Sequence, residues 1–134
     1  MHRPSPPPSA WRTLTALAIP LLTGCASLVP IDHIVDGRVA SGSIVAVQGH
    51  VSLAFEGQSI HASREACEAG DRARALWVDI PRQRIPLGWQ DCAFAEVSGV
   101  FRADDTGHFD GWPSGAIRAI SHLRALDQAR GERP

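Results

Sequence analysis

Histidine, cysteine and tryptophan are the side chains with most chemistry in this 134-residue sequence, numbering six, three and four. His50 and His61 stand in two runs that alternate apolar and polar residues, Ser43–Ala54 and Ser59–Ala62. Alternation of that kind places both rings on one face of a hairpin. With the turn centred on Glu56-Gly57, His61 lies opposite Ser52. His50 is then its diagonal neighbour, roughly 7–8 Å away. A metal ion needs a further ligand, for which His108 or Glu56 would serve, but no zinc-type spacing accompanies them. His50, His61 and His108 are therefore weak metal candidates, and no metal or other cofactor is expected. The plainer reading is two solvated histidines on a sheet face and a turn histidine at His108. Asp104, Asp105 and Asp110 lack the spacing and closing Glu of a calcium loop.

Trp77, Trp89, His108 and Trp112 are the candidate contacts for a ligand or partner, since indole rings stack on sugars and anchor protein interfaces. The same indoles also suit a purely structural role as caps on the ends of the fold. For catalysis the sequence offers no G-x-S-x-G and no evident carboxylate pair. Ser43, Ser52, Ser59 or Ser98 would meet a histidine only by coincidence. The expectation is a protein that is not an enzyme.

The first residues carry an address. A basic, acid-free start with Arg3 and Arg12 leads into the apolar run Leu14–Leu22, the order of a secretory signal. The run is well short of the ~18–20 residues that cross a bilayer. Leu22-Thr23-Gly24-Cys25 follows, and this tetrapeptide resembles the lipobox of bacterial lipoproteins. The resemblance implies cleavage before Cys25, diacylglycerol on its sulfur and an acyl chain, typically palmitate, on its new amine. Several acyl chains hold firmly where one holds marginally. Simple secretion is the alternative, but it wants an A-x-A pattern where this chain has Cys25. Ala26, rather than Asp, follows the cysteine, which by the same resemblance points to the periplasmic face of the outer membrane. Residues 1–24 then form the signal peptide and 25–41 the lipidated N-terminus and tether.

Composition bounds what the remainder does. The chain has no Lys, and loss of Arg3 and Arg12 with the leader takes its formal charge from −1 to −3. Without a basic stripe it is a poor nucleic-acid binder, because phosphate contacts supply most of that affinity. With Cys25 lipidated, Cys67 and Cys92 remain. In an oxidising compartment an even pair reads as a disulfide, worth about 3 kcal/mol by loop closure; the alternative is two separate buried thiols.

Residues 42–126 carry the domain, and 127–134 are a polar tail. Val45, Val47, Gly49, Val51 and Leu53 share one face of the first strand, with Gly49 marking a bend. Ile31, Ile34 and Val35 have the spacing of one short helical turn before it. Phe55-Glu56-Gly57-Gln58 reads as a tight hairpin. Ser63 caps a short helix that ends near Gly70 and carries Cys67. In Ala75–Ile80, Leu76, Val78 and Ile80 point inward while Trp77 and Asp79 point outward. Pro81–Asp91 is an irregular crossing. Ala93–Arg102 is a strand with a second mid-strand glycine, Gly99. Asp104–Gly115 is a turn-rich loop. Ala116–Leu126 closes the chain as a bulged strand.

The succession Val-x-Val-x-Gly, a Glu-Gly hairpin, Ala-Leu-Trp-Val-Asp, Val-x-Gly-x-Phe, Asp-Asp-x-Gly-His-Phe and Ser-Gly-x-Ile-x-x-Ile resembles an uncharacterised group of small, OB-like bacterial proteins. The resemblance covers roughly Ile31 to Leu126. It implies a mainly all-β fold, a small five-stranded, partly open OB-like barrel with one short helix, and no particular activity. The functional expectation is a lipid-anchored, non-enzymatic binding module of the bacterial envelope. Its partners are the membrane, through Cys25, and an envelope protein or glycan. The alternatives are a metal-binding envelope protein and an inhibitor or immunity lipoprotein.

Overall fold

Hydrophobic alternation becomes a closed ring of strands. The computed structural model describes residues 2–6, 26–54 and 57–126. The lipobox-like Leu22–Cys25, the hairpin residues Phe55 and Glu56, and the tail 127–134 lie outside the described residues. The elements are β1 (Ser27–Leu28), α1 (Ile31–Val35), β2 (Ile44–Ser52), β3 (Ser59–His61), α2 (Arg64–Glu68), β4 (Leu76–Val78), β5 (Ala93–Arg102) and β6 (Ala116–Ala125). Single 3₁₀ turns occupy Arg82–Arg84 and His108–Asp110.

The sheet order is β1-β2-β3-β4-β6-β5, and β5 pairs back onto β2. Strands β2 to β6 thus form a five-stranded ring, antiparallel except where β4 runs parallel to β6. That order, with its parallel closure, is an OB barrel. The short β1 adds alongside β2 outside the ring, with Ser27 beside Val45 and Leu28 beside Ala46.

The inner face carries the expected residues. Val45, Val47, Val51, Ile60, Leu76, Val78, Val97, Phe101 and Ile117 form one buried core. Helix α1 inserts Ile31 and Ile34 into it, so the packed unit begins before residue 42 and includes much of the stretch expected to be tether. The helix is a second one beside α2, where the resemblance implied one. Arg74 holds α1 from outside, its guanidinium 3.1 Å from both Asp32 and Asp36.

Two glycines let the ring coil. A Cβ on Gly49 would lie 2.5 Å from the His61 carbonyl and 2.7 Å from Ile31 Cδ1. A Cβ on Gly99 would lie 2.6 Å from the Arg118 carbonyl. Opposite Gly99, β6 bulges: Val100 pairs with Arg118 but Ser98 with His122, which leaves Ala119, Ile120 and Ser121 facing one residue. Ile120 turns into the core there, and Ala119 takes a left-handed φ of 49°. The expected bulged final strand is what forms.

The β2–β3 register differs from the tight-hairpin expectation. His61 pairs with His50, Val51 with Ile60 and Ser52 with Ser59, so the connection runs from Leu53 to Gln58. The expected turn centre at Glu56-Gly57 would have made a shorter loop and shifted His61 onto Ser52. The pairing is fixed instead by the inward set, which puts Val51 and Ile60 together in the core.

Gly49→Val and Gly99→Val should each cost about 3 kcal/mol or more, because the atoms they meet are backbone carbonyls that cannot rotate away. Thermal melts should show a drop in Tm of order 10 °C. Ala119→Gly should raise Tm, since it removes a left-handed strain of about 1 kcal/mol at an exposed site. Unchanged melts for the two valine variants would contradict the close-approach account.

Candidate functional site

The face of β2 and β3 that bears the histidines is not solvated, contrary to the plain reading of the sequence. His50, Ser52, Ser59 and His61 are all buried. What covers them is α2, held down by a disulfide from Cys67 to Cys92 with a Cα–Cα distance of 5.8 Å. The helix forms where its cap predicts, with the Ala66 amide donating to Ser63 Oγ and Gly70 at a φ of 64° past its end.

Each histidine on this face already has a partner. The His50 Nδ1–H donates to the Cys92 carbonyl at 3.0 Å, because a carbonyl can only accept. Ser59 Oγ donates to the Gly57 carbonyl at 3.0 Å and accepts from His61 Nε2–H at 2.8 Å. Ser59 and His61 therefore have the separation of a nucleophile–base pair, the coincidence the sequence allowed for. Their polarity is the reverse of what attack requires, since the serine proton points at Gly57 and the ring donates. Burial holds the His61 pKa below the usual imidazole value, with Asp71 pulling weakly the other way. His108 lies elsewhere, and among the described residues no three His, Cys, Asp or Glu side chains are placed to hold a metal ion.

A second apolar cluster sits outside the barrel wall. Ala75, Trp77, Trp112 and Ala116 pack together, with the two indole centroids 5.8 Å apart. Trp112 meets His61 edge-on at 6.5 Å, and the Arg72 guanidinium lies 5.0 Å over its other side. Gly107 presses the loop onto both indoles: a Cβ there would come within 2.6 Å of Trp112 and 2.8 Å of Trp77. The loop between β5 and β6, residues 103–115, is thereby fixed over β4.

That loop and the one after β2 flank an open cleft of about 600 Å³. Leu53, Ala54 and Gln58 line it from the first loop and His108 from the second. Trp77, Asp79 and Ile80 come from β4 and the residues after it, and Arg82 and Ile85 from the crossing that follows. His108 stacks on Trp77, at 6.0 Å and 24° between planes, and the exposed Phe109 lies against His108 at 4.0 Å. Arg118 donates to Asp79 at 2.9 Å and with two nitrogens to Asp105, so it clamps the loop to the cleft wall. The Arg118 hydrogen bonds hold the Asp105 carboxyl below the usual carboxylate value.

Of the four expected contacts, Trp77 and His108 meet in this cleft. Trp89 lines an adjoining hollow across the ridge of Leu53, Ala54 and Ile85. Trp112 is buried behind the loop as its anchor and offers no platform. Nothing in the residue pattern singles out Gln58, Arg82 or Ile85. Asp79 was readable, since it shares the outward face of its strand with Trp77. Cys25 lies outside the described residues.

Among the described residues that line it, the cleft offers groups that can bind, and none of them is paired as a nucleophile with a base. Asp79 is paired with Arg118, which it shares with Asp105, and the cleft presents an apolar floor with polar groups at its rim. Its volume falls in the ordinary range for a ligand site.

His61 gives the site region a pH signature. Its folded pKa is lowered, so the neutral ring is favoured in the fold while the unfolded ring, at about 6.5, takes a proton first. The stability this contributes is complete above pH 6.5 and is lost as pH falls through 6.5 towards the folded value. Asp105 is also lowered, but its contribution is lost only as pH falls below about 3.8. Urea titrations between pH 7.5 and 5 should show stability falling, and His61→Gln, which keeps the donor to Ser59, should flatten that slope. A slope unchanged by the substitution would contradict the assignment.

No protein-family model and no curated protein matches the sequence. Among solved structures, a chain of the Stn1–Ten1 complex of S. pombe superposes with a TM-score of 0.52 at 18% identity, covering 83% of this chain and 89% of that one. The telomere capping protein Ten1 from Saccharomyces pombe gives 0.49 at 17% identity, with 75% and 81% covered. The hypothetical protein ygiW from E. coli gives 0.49 at 14%, with 75% and 91% covered. At 18% identity, the likeness to the complex chain is one of fold: an all-β, OB-type barrel.

Proposed function

We propose that this chain is a non-enzymatic, lipid-anchored binding module of the bacterial envelope, whose protein or glycan ligand enters the cleft over β4. The observation that carries the reading is the position of that cleft. It lies over β4, the third strand of the barrel, between the loop after the first strand and the loop before the last. OB barrels take extended ligands on that surface. Its chemistry here is an exposed imidazole, His108, backed by the largely buried Trp77 and flanked by apolar Leu53 and Ile85, with Gln58, Asp79 and Arg82 to orient polar groups. An extended peptide or an oligosaccharide fits such a mixture better than a polyphosphate, and the absence of Lys and the net negative charge support that choice.

The anchor rests on Leu22-Thr23-Gly24-Cys25 behind its basic and apolar leader, and it puts the module on the periplasmic face of the outer membrane. A protein ligand silenced on capture would make the chain an inhibitor lipoprotein. The metal alternative gains nothing from the geometry, because among the described residues no third His, Cys, Asp or Glu stands with His50 and His61 to complete a site.

The test is crosslinking from the cleft of the native lipoprotein with a photoreactive residue at position 58, followed by affinity measurement on whatever is captured. Arg82→Glu and His108→Ala, both at exposed or rim positions, should each weaken binding about tenfold. The same crosslinker at position 122, on the outer face of β6, should capture nothing in common. Binding untouched by both substitutions would remove the cleft from the account.

A further inference from the structure

We infer that the outer face of β1, β2 and β5 is the membrane-facing side of this domain, resting on the bilayer that holds the Cys25 lipid, so that the cleft over β4 faces away from it. The inference rests on the anchoring reading above. It begins with how little chain separates the anchor from the barrel. Ser27 is already paired with Val45, and only Ala26 stands between it and Cys25. Two residues of extended chain span at most ~7 Å, so a lipid on Cys25 brings β1 against the headgroups. A free tether, as long as the stretch to residue 41 would have been, does not exist.

What β1 brings to the surface is apolar. Leu28 is 60% exposed and Ile44 50% exposed, although both lie within strands of the sheet. Register puts them on one face. Leu28 pairs with Ala46, two residues from Ile44, and Ile44 pairs with Val100. Further along the same face, Phe94 sits opposite His50, and Leu28, Gln48 and Phe94 line a shallow hollow. Inward-facing Val45, Val47 and Val51 are already used in the core, so Leu28, Ile44 and Val100 form a separate apolar patch, divided from Phe94 by the Gln48–Glu96 pair. Its charges suit a phospholipid headgroup layer. Arg102 is exposed beyond Val100, and the Glu96 carboxylate is taken by Gln48 and Arg124, so the face presents no unpaired acid among these residues. Cationic groups near anionic headgroups add to apolar burial.

The ring order fixes the consequence. From β2 the ring reaches β4 through β3, and from β5 through β6, so β4 is the strand across from the β2–β5 seam. A domain lying on that seam holds the exposed Asp79, Arg82 and His108 towards the periplasm, where a ligand can reach them.

The experiment uses the acylated lipoprotein in vesicles of phosphatidylethanolamine and phosphatidylglycerol whose acyl chains are brominated, so that a tryptophan at the headgroup–acyl boundary loses emission. Leu28→Trp and Ile44→Trp replace exposed side chains, Arg82→Trp puts the probe at the cleft, and the emission of Trp77, Trp89 and Trp112 in the unsubstituted lipoprotein is subtracted from each. Mass spectrometry of each preparation reads the state of Cys25. The expected result is an acylated Cys25 and a loss of emission about twofold or more greater for the probes at 28 and 44 than for the one at 82, consistent with shallow interfacial burial. Acylated protein with equal loss at all three positions, or most at 82, would overturn the orientation and leave the anchor standing. Acylated protein that crosslinks as a dimer, with the probes at 28 and 44 shielded from the bromines, would overturn it in favour of a second copy on this face. An unmodified Cys25 with no vesicle binding would overturn the anchoring reading, and the orientation with it.

Discussion

Two positions without a Cβ govern the shape of this protein. At Gly49 the β3 backbone carbonyl of His61 crosses where a side chain would start, and at Gly99 the β6 carbonyl of Arg118 does the same. These contacts are closer than any L side chain tolerates, and they let β2 and β5 bend while keeping their mutual ladder unbroken from Ile44 to Val51. A flat sheet of the same strands would have two open edges and half the core. With the bends in place the edges meet, and the parallel β4–β6 pair completes the ring. The space over Gly49 is then filled from below by Ile31, which makes α1 part of the barrel's packing rather than an appendage.

The covering of the outer β2–β3 face follows from that closure and leads to the cleft. Ring closure brings the start of β5 beside the end of β2, which sets Cys92 within reach of Cys67 on α2. The bridge closes a 25-residue separation, worth about 3 kcal/mol in chain entropy, and holds α2 over His50 and His61. Next to that cover, Trp112 packs on His61 and Trp77, and Gly107 lets the β5–β6 loop lie flat on both indoles. His108 is delivered onto Trp77 as a result. The disulfide, the buried histidines and the cleft are one continuous arrangement, which is why the histidines serve as structure.

Much of the fold was legible because its strands alternate strictly. Ala93–Arg102 and the inward set Leu76, Val78, Ile80 emerge as read, and Ser63 caps its helix. Mid-strand glycine in two β-branched runs signalled bending, and bending signalled closure. The β2–β3 register was not legible, because a Gly in a polar stretch does not reveal whether the turn centres on it. A two-residue error there moved His61 from His50 to Ser52. Burial of the outer face was also hidden. Polar residues alternating with valine look solvent-facing, and nothing local shows that a helix twenty-odd residues from its disulfide partner will lie over them. The cleft was half legible: Trp77, Asp79 and His108 are chemically conspicuous, whereas Gln58, Arg82 and Ile85 matter only through where the ring places them.

The choice of cation completes the picture. Every basic residue outside histidine is Arg, and two of them each bridge two carboxylates: Arg74 joins Asp32 and Asp36, and Arg118 joins Asp79 and Asp105. A guanidinium presents a planar fork of donors, so one side chain can hold two acids in fixed relation where an ammonium would hold them loosely. Exposed pairs contribute little to overall stability. Their value here is positional: Arg74 keeps α1 seated, and Arg118 keeps the β5–β6 loop against β4. The same guanidinium that fixes the loop also engages Asp79, so a single residue shapes the cleft and shares its one positive charge between two carboxylates. A surface built that way holds its acids in fixed positions, so its hydrogen-bonding groups are set by the fold before anything meets them.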